Sequence, residues 1–216
     1  IVFAGDCHGV HWIGAGMTGG EITVRGAAGR HVGSEMTGGR IVVEGNAGDW
    51  VGGEMHGGVI HVHGRAGHLI GAAYRGSARG MTGGTIIVDG DVGNEIGTVM
   101  RRGLIAVGGR CGDTPGFGML AGTILVCGES GIRPGAGMKR GTIALVGPSP
   151  PALLPTFRGG VSTTALFLRV LHRQLAILGF DAAATPAGAD WADKLYTLHH
   201  GDMLESGRGE ILLPAS

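Results

Sequence analysis

Seven of the chain's ten histidines, His8, His11, His31, His56, His61, His63 and His68, fall in its first third. Imidazole is both the commonest zinc ligand and the usual general base near neutral pH. His61-x-His63 is the sharpest case, because two residues spaced by two on an extended segment point to the same face. A metal centre needs a third ligand, and no Asp or Cys is found in step with this pair. No residue is therefore expected to ligate a metal, and the histidines are expected to be surface or interface groups. Asp49, His31 and Ser34 have the residue types of a catalytic relay, but no nucleophile sits in a strand-to-helix elbow, so no catalytic residue is assigned either. Glycine strings with G-x-G-x-x-G-like spacing are not followed by a helix in a βαβ unit, which excludes a dinucleotide site.

A second group carries charge. Tyr74-Arg75-Gly76-Ser77-Ala78-Arg79-Gly80 is an insertion. Arg101 and Arg102 recur on the same edge one unit later, and Lys139 and Arg140 three units later. Tyr74, Arg75, Arg79, Arg101, Arg102, Lys139 and Arg140 are thus candidate contacts for an anion or a partner. Guanidinium groups suit carboxylates and phosphates. Salt bridges to a neighbouring protein, or simple solubility, are the alternative reading of the same row.

The frame that positions these groups is a repeat. Ile22-Thr23-Val24, Ile41-Val42-Val43, Ile60-His61-Val62, Ile86-Ile87-Val88, Ile105-Ala106-Val107, Ile124-Leu125-Val126 and Ile143-Ala144-Leu145 follow one another at 19 residues, with one gap of 26. Met17, Met36, Met55, Met81, Met100, Met119 and Met138 keep the same phase. So does a closing glycine, from Gly26 to Gly147. A fixed period of this length means stacked units. Alternation puts Ile and Val inward and the middle residue outward. The apolar residues before the middle glycines, such as Ile13, Val32 and Val51, form a second inward row, and the methionines a third.

Glycines at the corners between the rows permit tight turns. The expected fold is mainly β: a right-handed parallel β-helix of seven Gly-cornered coils over residues 1–147, followed by a helix-containing tail over 148–216. Coils about 4.8 Å apart would give a rod on the order of 35 Å long. The small residues Ala28, Ala47, Ala66, Val92, Cys111 and Ser130 share an inner corner, which makes Cys111 a structural thiol. The glycine density opposes an amphipathic helix by up to about 1 kcal/mol per residue.

Composition narrows the function classes. The 216 residues carry no formal net charge, and the 47 glycines are periodic beside only 8 prolines. Those values disfavour collagen, disorder and nonspecific nucleic-acid or lipid binding. No apolar run is long enough for a membrane span. Three scattered cysteines, Cys7, Cys111 and Cys127, do not make a disulfide framework, so a cytoplasmic location is expected. Val2-Phe3-Ala4-Gly5 reads as the end of an earlier coil, and Ile1 in place of Met points to residues upstream. Lys139 and Lys194 are the only lysines among 17 basic residues, an arginine bias that suggests a GC-rich bacterial host.

Beyond Pro148, Pro150, Pro151 and Pro155 the spacing predicts a helix over about 163–178. Ser162 would be its N-cap, Gly179 its C-cap, and Leu166, Phe167, Val170, Leu171, Leu175 and Leu178 its apolar face. Asp181 to Gly188 reads as a loop, 191–195 as a short helix and 210–213 as a strand. The outward positions Ala106, Leu125 and Ala144 are apolar, so the C-terminal helix or a partner protein should cover them.

Gly71-Ala72-Ala73-Tyr74-Arg75-Gly76 with Gly80-Met81-Thr82-Gly83-Gly84-Thr85-Ile86-Ile87-Val88 closely resembles the C subunit of formylmethanofuran dehydrogenase. It is equally similar to the C subunit of the bacterial formyltransferase/hydrolase complex. Leu153-Leu154-Pro155-Thr156-Phe157, Gly201-Asp202-Met203-Leu204 and Gly209-Glu210-Ile211-Leu212 extend the resemblance over essentially the whole chain. The repeat alone is shared with a domain of glutamate synthase.

The resemblance implies a non-catalytic scaffold subunit in one-carbon metabolism. Its partners would be a zinc amidohydrolase-like A subunit that releases formate, a B subunit, and a formyltransferase D subunit. The D subunit would move formyl between tetrahydromethanopterin and a methanofuran-like carrier, whose glutamate-rich tail is the polyanion the basic row could meet. No cofactor bound by this chain itself is implied. The arginine bias favours the bacterial complex of a methylotroph over the tungsten or molybdenum dehydrogenase.

Overall fold

The computed structural model describes residues 1–215. Eight strands run parallel in register: β1 (Val2–Phe3), β2 (Glu21–Val24), β3 (Arg40–Val43), β4 (Val59–Val62), β5 (Thr85–Val88), β6 (Leu104–Val107), β7 (Thr123–Val126) and β8 (Arg140–Leu145). Ile22, Ile41, Ile60, Ile86, Ile105, Ile124 and Ile143 sit directly above one another. Val2 and Phe3 pair with Thr23 and Val24, so the first residues do add a rung before β2.

Each coil has only one regular strand. The small-residue corner makes single parallel bridges, Cys7 to Ala28 to Ala47 and Cys111 to Ser130. The remaining side is a tight four-residue turn ahead of each methionine.

The interior follows the alternation. Met36, Met55, Met81, Met100, Met119 and Met138 are fully buried, as are the inward Ile and Val of β3 to β7, while Met17 is half-buried at the first coil. Burying one such side chain contributes about 1.5–3 kcal/mol, so the stacked rows supply the stability that short strands lack. Two glycines show how little room remains. Gly33 has φ +62°, and a Cβ there would lie 2.5 Å from Ile60 Cδ1 in the next coil. At Gly39, with φ +92°, it would lie 2.8 Å from the Gly20 carbonyl oxygen. A side chain at Gly39 would have to displace the backbone of the preceding coil, and one at Gly33 would be strained by its positive φ and would push core side chains aside.

The tail does more than pack on the solenoid. It comprises β9 (Arg158–Thr164), α1 (Leu166–Ile177), β10 (Leu195–Gly201) and β11 (Arg208–Pro214). β11 pairs parallel with β8 and places Ile211 beside Ile143, continuing the buried isoleucine row for one more rung. β10 and β9 then close the eleven-stranded sheet antiparallel. Phe157 plugs the last coil, and Leu153, Leu154 and Leu213 pack around it.

A second apolar cluster joins the outer residues Ile87, Ala106, Leu125, Cys127 and Ala144 to Leu168, Leu171, Leu175, Trp191 and Tyr196 of the tail. Tyr196 donates its hydroxyl to the Trp191 carbonyl at 2.5 Å. The expected cover over the late outer face is therefore the chain's own tail.

Three expectations for the tail fail. Ser162 lies in β9 and bonds Thr197 Oγ1 at 3.0 Å, so it caps nothing. α1 begins at Leu166 behind Ala165, without a side-chain cap. Its buried face is Leu168, Leu171 and Leu175, whereas Leu166, Phe167, Val170 and Ile177 are exposed. Leu171 and Leu175 are thus buried as expected, but Leu168 replaces Leu166, Phe167 and Val170 on that face, because apolar residues surround most of the helix. The C-terminal end agrees, with Gly179 at φ +97° just after Leu178. The short helix near Trp191 is one 3-10 turn, Trp191–Asp193, and the expected strand runs longer, as β11.

Candidate functional site

Most of the histidines are occupied in holding coils together. His11, Asp49, His68, Asn94 and Asp113 share one phase, and each accepts a backbone N–H from the following coil. The donors are Arg30, His68, Asn94, Asp113 and Ile132, at 2.8–3.0 Å. Asn46 and Asp91 do the same in the neighbouring column, for Arg65 and Arg110. Asp49 is spent in this ladder, so the imagined relay does not form. Ser34 Oγ lies 3.3 Å from His31 Nδ1 and also donates to the Trp50 carbonyl at 3.2 Å, but no carboxylate orients the imidazole.

His31 belongs instead to an aromatic column. It stacks on Trp12 with centroids 3.9 Å apart and planes 1° from parallel, and on Trp50 at 5.4 Å and 7°. All three occupy the same left-handed corner, at φ 64°, 64° and 56°. Tyr74 closes edge-on against His31 at 5.6 Å. Its own N–H donates to Glu54 Oε1 at 3.0 Å. Burial lowers the His31 pKa, with the Arg30 charge adding to it, and burial pushes Tyr74 up to about 12. The Tyr74 hydroxyl and Trp50 Nε1 are buried without hydrogen-bond partners. A cleft of about 270 Å³ opens beside them, lined by Trp50, Leu69, Tyr74, Arg75 and Glu95. Tyr74 thus turns toward the early coils, away from the basic row in which the sequence placed it.

The rest of that row is partly assembled. Arg101 and Arg102 line a shallow depression of about 410 Å³ with Thr82, Leu120 and Ala121. Arg101 also borders an adjoining one of about 370 Å³ with Lys139 and Glu205. Lys139 is neutralised by Glu205 at 3.4 Å. Among the described residues Arg101 and Arg102 form no ion pair, and Arg101 Nε is buried without a partner. Arg75 and Arg79 are exposed on the inserted loop. Arg140 opens β8 and lies in register with Arg208 of β11, which adds a cation that the repeat phase did not reveal.

One group, among the described residues, combines donors at metal-ligand separations: His61, His63 and Asp89. His61 Nε2 is 2.9 Å from Asp89 Oδ1, and His63 Nδ1 is 2.7 Å from Asp89 Oδ2. The two rings lie 4.2 Å apart. This overturns the reading that no acid falls in step with the pair. Asp89 follows His63 by 26 residues, the length of the enlarged coil, and so occupies the same phase one unit later. Cys111 and Cys127 are buried, and burial pushes both thiols up to about 12, as inert structural groups require.

The X-ray crystal structure of the formyltransferase/hydrolase complex (FhcABCD) from Methylorubrum extorquens in complex with methylofuran contains a chain that aligns with this one throughout. Identity is 34%, the TM-score is 0.87, and the match covers 100% of this chain and 78% of that chain. This chain belongs to the family of that complex component. No family model and no curated protein matches the sequence.

Membership in the formyltransferase/hydrolase family accounts for the whole length, tail included, so the cap and the second core belong to the shared architecture. Within this family member the sequence located the inserted loop and Arg101, Arg102, Lys139 and Arg140. It missed Asp89, Arg208, Glu205 and the aromatic column. Asp89 precedes the closing Gly90 as His63 precedes Gly64, so the unit alignment carried the signal for it. Among the described residues no helix is long and apolar enough to cross a membrane.

Proposed function

We propose that the chain is the C subunit of a bacterial formyltransferase/hydrolase complex and serves it as a non-catalytic scaffold. In this reading the complex moves formyl groups from tetrahydromethanopterin, through a methanofuran-like carrier, to formate. The partners are the amidohydrolase-like A, the B and the formyltransferase D subunits. The full-length likeness to a component of such a complex carries the reading. The ladder of Asp, Asn and His acceptors supports a structural role, since it spends Asp49 on a backbone N–H and leaves the Ser34–His31 pair, among the described residues, without an orienting carboxylate.

The basic edge is the proposed contact for the carrier's glutamate-rich tail. Arg101 and Arg102 offer unpaired guanidinium groups over an open depression, the arrangement that pairs with successive carboxylates. Arg79 and Arg140 extend the edge on either side.

Tagged protein recovered gently from its host tests the assignment. Co-purification with formyltransferase-like and amidohydrolase-like proteins, without molybdenum or tungsten, is the expected result. A metal-pterin protein in the eluate would make the complex a formylmethanofuran dehydrogenase, and recovery of glutamate synthase components would remove the assignment altogether.

A further inference from the structure

We propose that His61, His63 and Asp89 bind one divalent transition-metal ion of the zinc type. Two imidazole nitrogens and one carboxylate oxygen form a donor set that suits zinc and its neighbours, and not calcium or magnesium. Their ligand atoms already lie within 4.8 Å of one another. Tetrahedral zinc, with bonds of about 2.1 Å, separates its ligands by roughly 3.4 Å. Small side-chain rotations therefore suffice to admit the ion.

The fold prepares the group from three directions. The β-strand spacing turns both rings to one side, and Asp89 rises beside them from the next coil, where its N–H bonds the Val62 carbonyl at 2.9 Å. His61 is 1% exposed, and a Cβ on Gly179 would lie 3.7 Å from its Cε1, so its ring is fixed by packing near the end of α1. His63 and Asp89 are 43% and 31% exposed, which leaves an entry path and space for a water as fourth ligand. Both imidazoles present a nitrogen to the same carboxylate, so a cation among them replaces two N–H hydrogen bonds with three coordinate bonds, two to nitrogen and one to oxygen. Each ring then carries its hydrogen on the other nitrogen, and the site needs no rearrangement of the backbone.

The position gives the ion a role. It joins β4 to β5 across the one irregular coil. It also sits beneath the end of α1, where Arg40 Nη2 donates to the Leu178 carbonyl at 3.4 Å. A bound ion would tie these two coils together beside the tail's edge. All three ligands come from this chain, so the site needs no partner protein.

Titrating Zn²⁺ into the metal-free full chain by calorimetry tests it, with Asp89→Asn and His63→Ala alongside. The expected result is one ion per chain, affinity reduced at least about tenfold in each variant, and a melting temperature raised by Zn²⁺ in the native chain alone. Asp89→Asn keeps the size of the side chain, and His63 is exposed, so both variants should fold; circular dichroism establishes that. Co²⁺ provides a second readout through the absorption bands of a four-coordinate site. No saturable binding, or binding equal in native chain and variants, overturns the proposal.

Discussion

The outer faces of β2–β4 and β5–β8 share one backbone and differ in one column of residues. Thr23, Val42 and His61 occupy it in the early coils, and Ile87, Ala106, Leu125 and Ala144 in the late ones. Thr23 and Val42 are half-buried and His61 is buried but polar, whereas the late four are apolar and fully buried beneath the tail. The register does not change at the boundary. Inner rows therefore fix the coil, and the outer column decides what the coil holds: water, a cation or an apolar cover.

The largest break comes from the inside. Met55→Asp puts an unpaired carboxylate in a fully buried row, a cost of several kcal/mol that the stacked coils cannot relieve. Loss of soluble protein is expected, and a variant with unchanged melting temperature would show that this row is not what holds the coils together.

Trp191→Ala tests the covered half alone. It empties a fully buried site in the second cluster and should cost about 3–5 kcal/mol. Limited proteolysis should then cut first within residues 148–216 and leave a protected solenoid. Simultaneous cleavage of both regions would mean that the two clusters unfold as one.

The thiols report the same boundary chemically. In the native chain near pH 8 only half-buried Cys7 should react with an aromatic disulfide reagent, because burial raises Cys111 and Cys127 to about 12. Trp191→Ala should release Cys127, which lies under the tail, and spare Cys111, which lies in the inner corner. Deprotonation also costs stability in a definite direction. The raised values favour the folded state fully below the ordinary thiol value of 9.0, and that contribution fades as pH rises toward about 12. Chemical denaturation at pH 8 and pH 10.5 reads the difference.

Asp113→Ala is the mildest test. It removes the acceptor for the Ile132 N–H at 3.0 Å on an exposed corner, and about 1 kcal/mol or less should be lost in urea denaturation. A loss of several kcal/mol would mean that the ladder supports stacking as strongly as the core.

The parts of the molecule legible in the sequence are those where one residue type repeats. Ile, Val, Met and Gly recur because each coil poses the same steric problem, so period alone located β2 to β8 and the buried rows. Asp89 shares the phase of His63, but the position before the closing glycine holds a different residue type in almost every unit, so no repeated pattern marks it. The buried face of α1 was read too wide, with Leu171 and Leu175 right and Leu168 missed, because Leu166, Phe167 and Val170 are as apolar as the residues that face the core. Stacking of Trp12, His31 and Trp50 depends on a left-handed corner that β-strand patterns do not encode. β11 returning beside β8 joins residues some 70 apart in sequence, which no local pattern specifies.

The reversal of strand direction at β10 and β9 has a consequence for growth. A parallel coil is by nature a template: its last rung offers open backbone groups and an unfinished apolar floor to any strand of like pattern. Here the floor ends at Phe157 and Ile211, and the outermost strand, β9, has seven exposed residues, among them Gly159 and Gly160, with no isoleucine row to extend. A further copy of the repeat arriving at this end would find hydrogen bonds without a core beneath them. The same chain that stacks its own units so readily is thereby denied the means to seed a fibre from its carboxyl end.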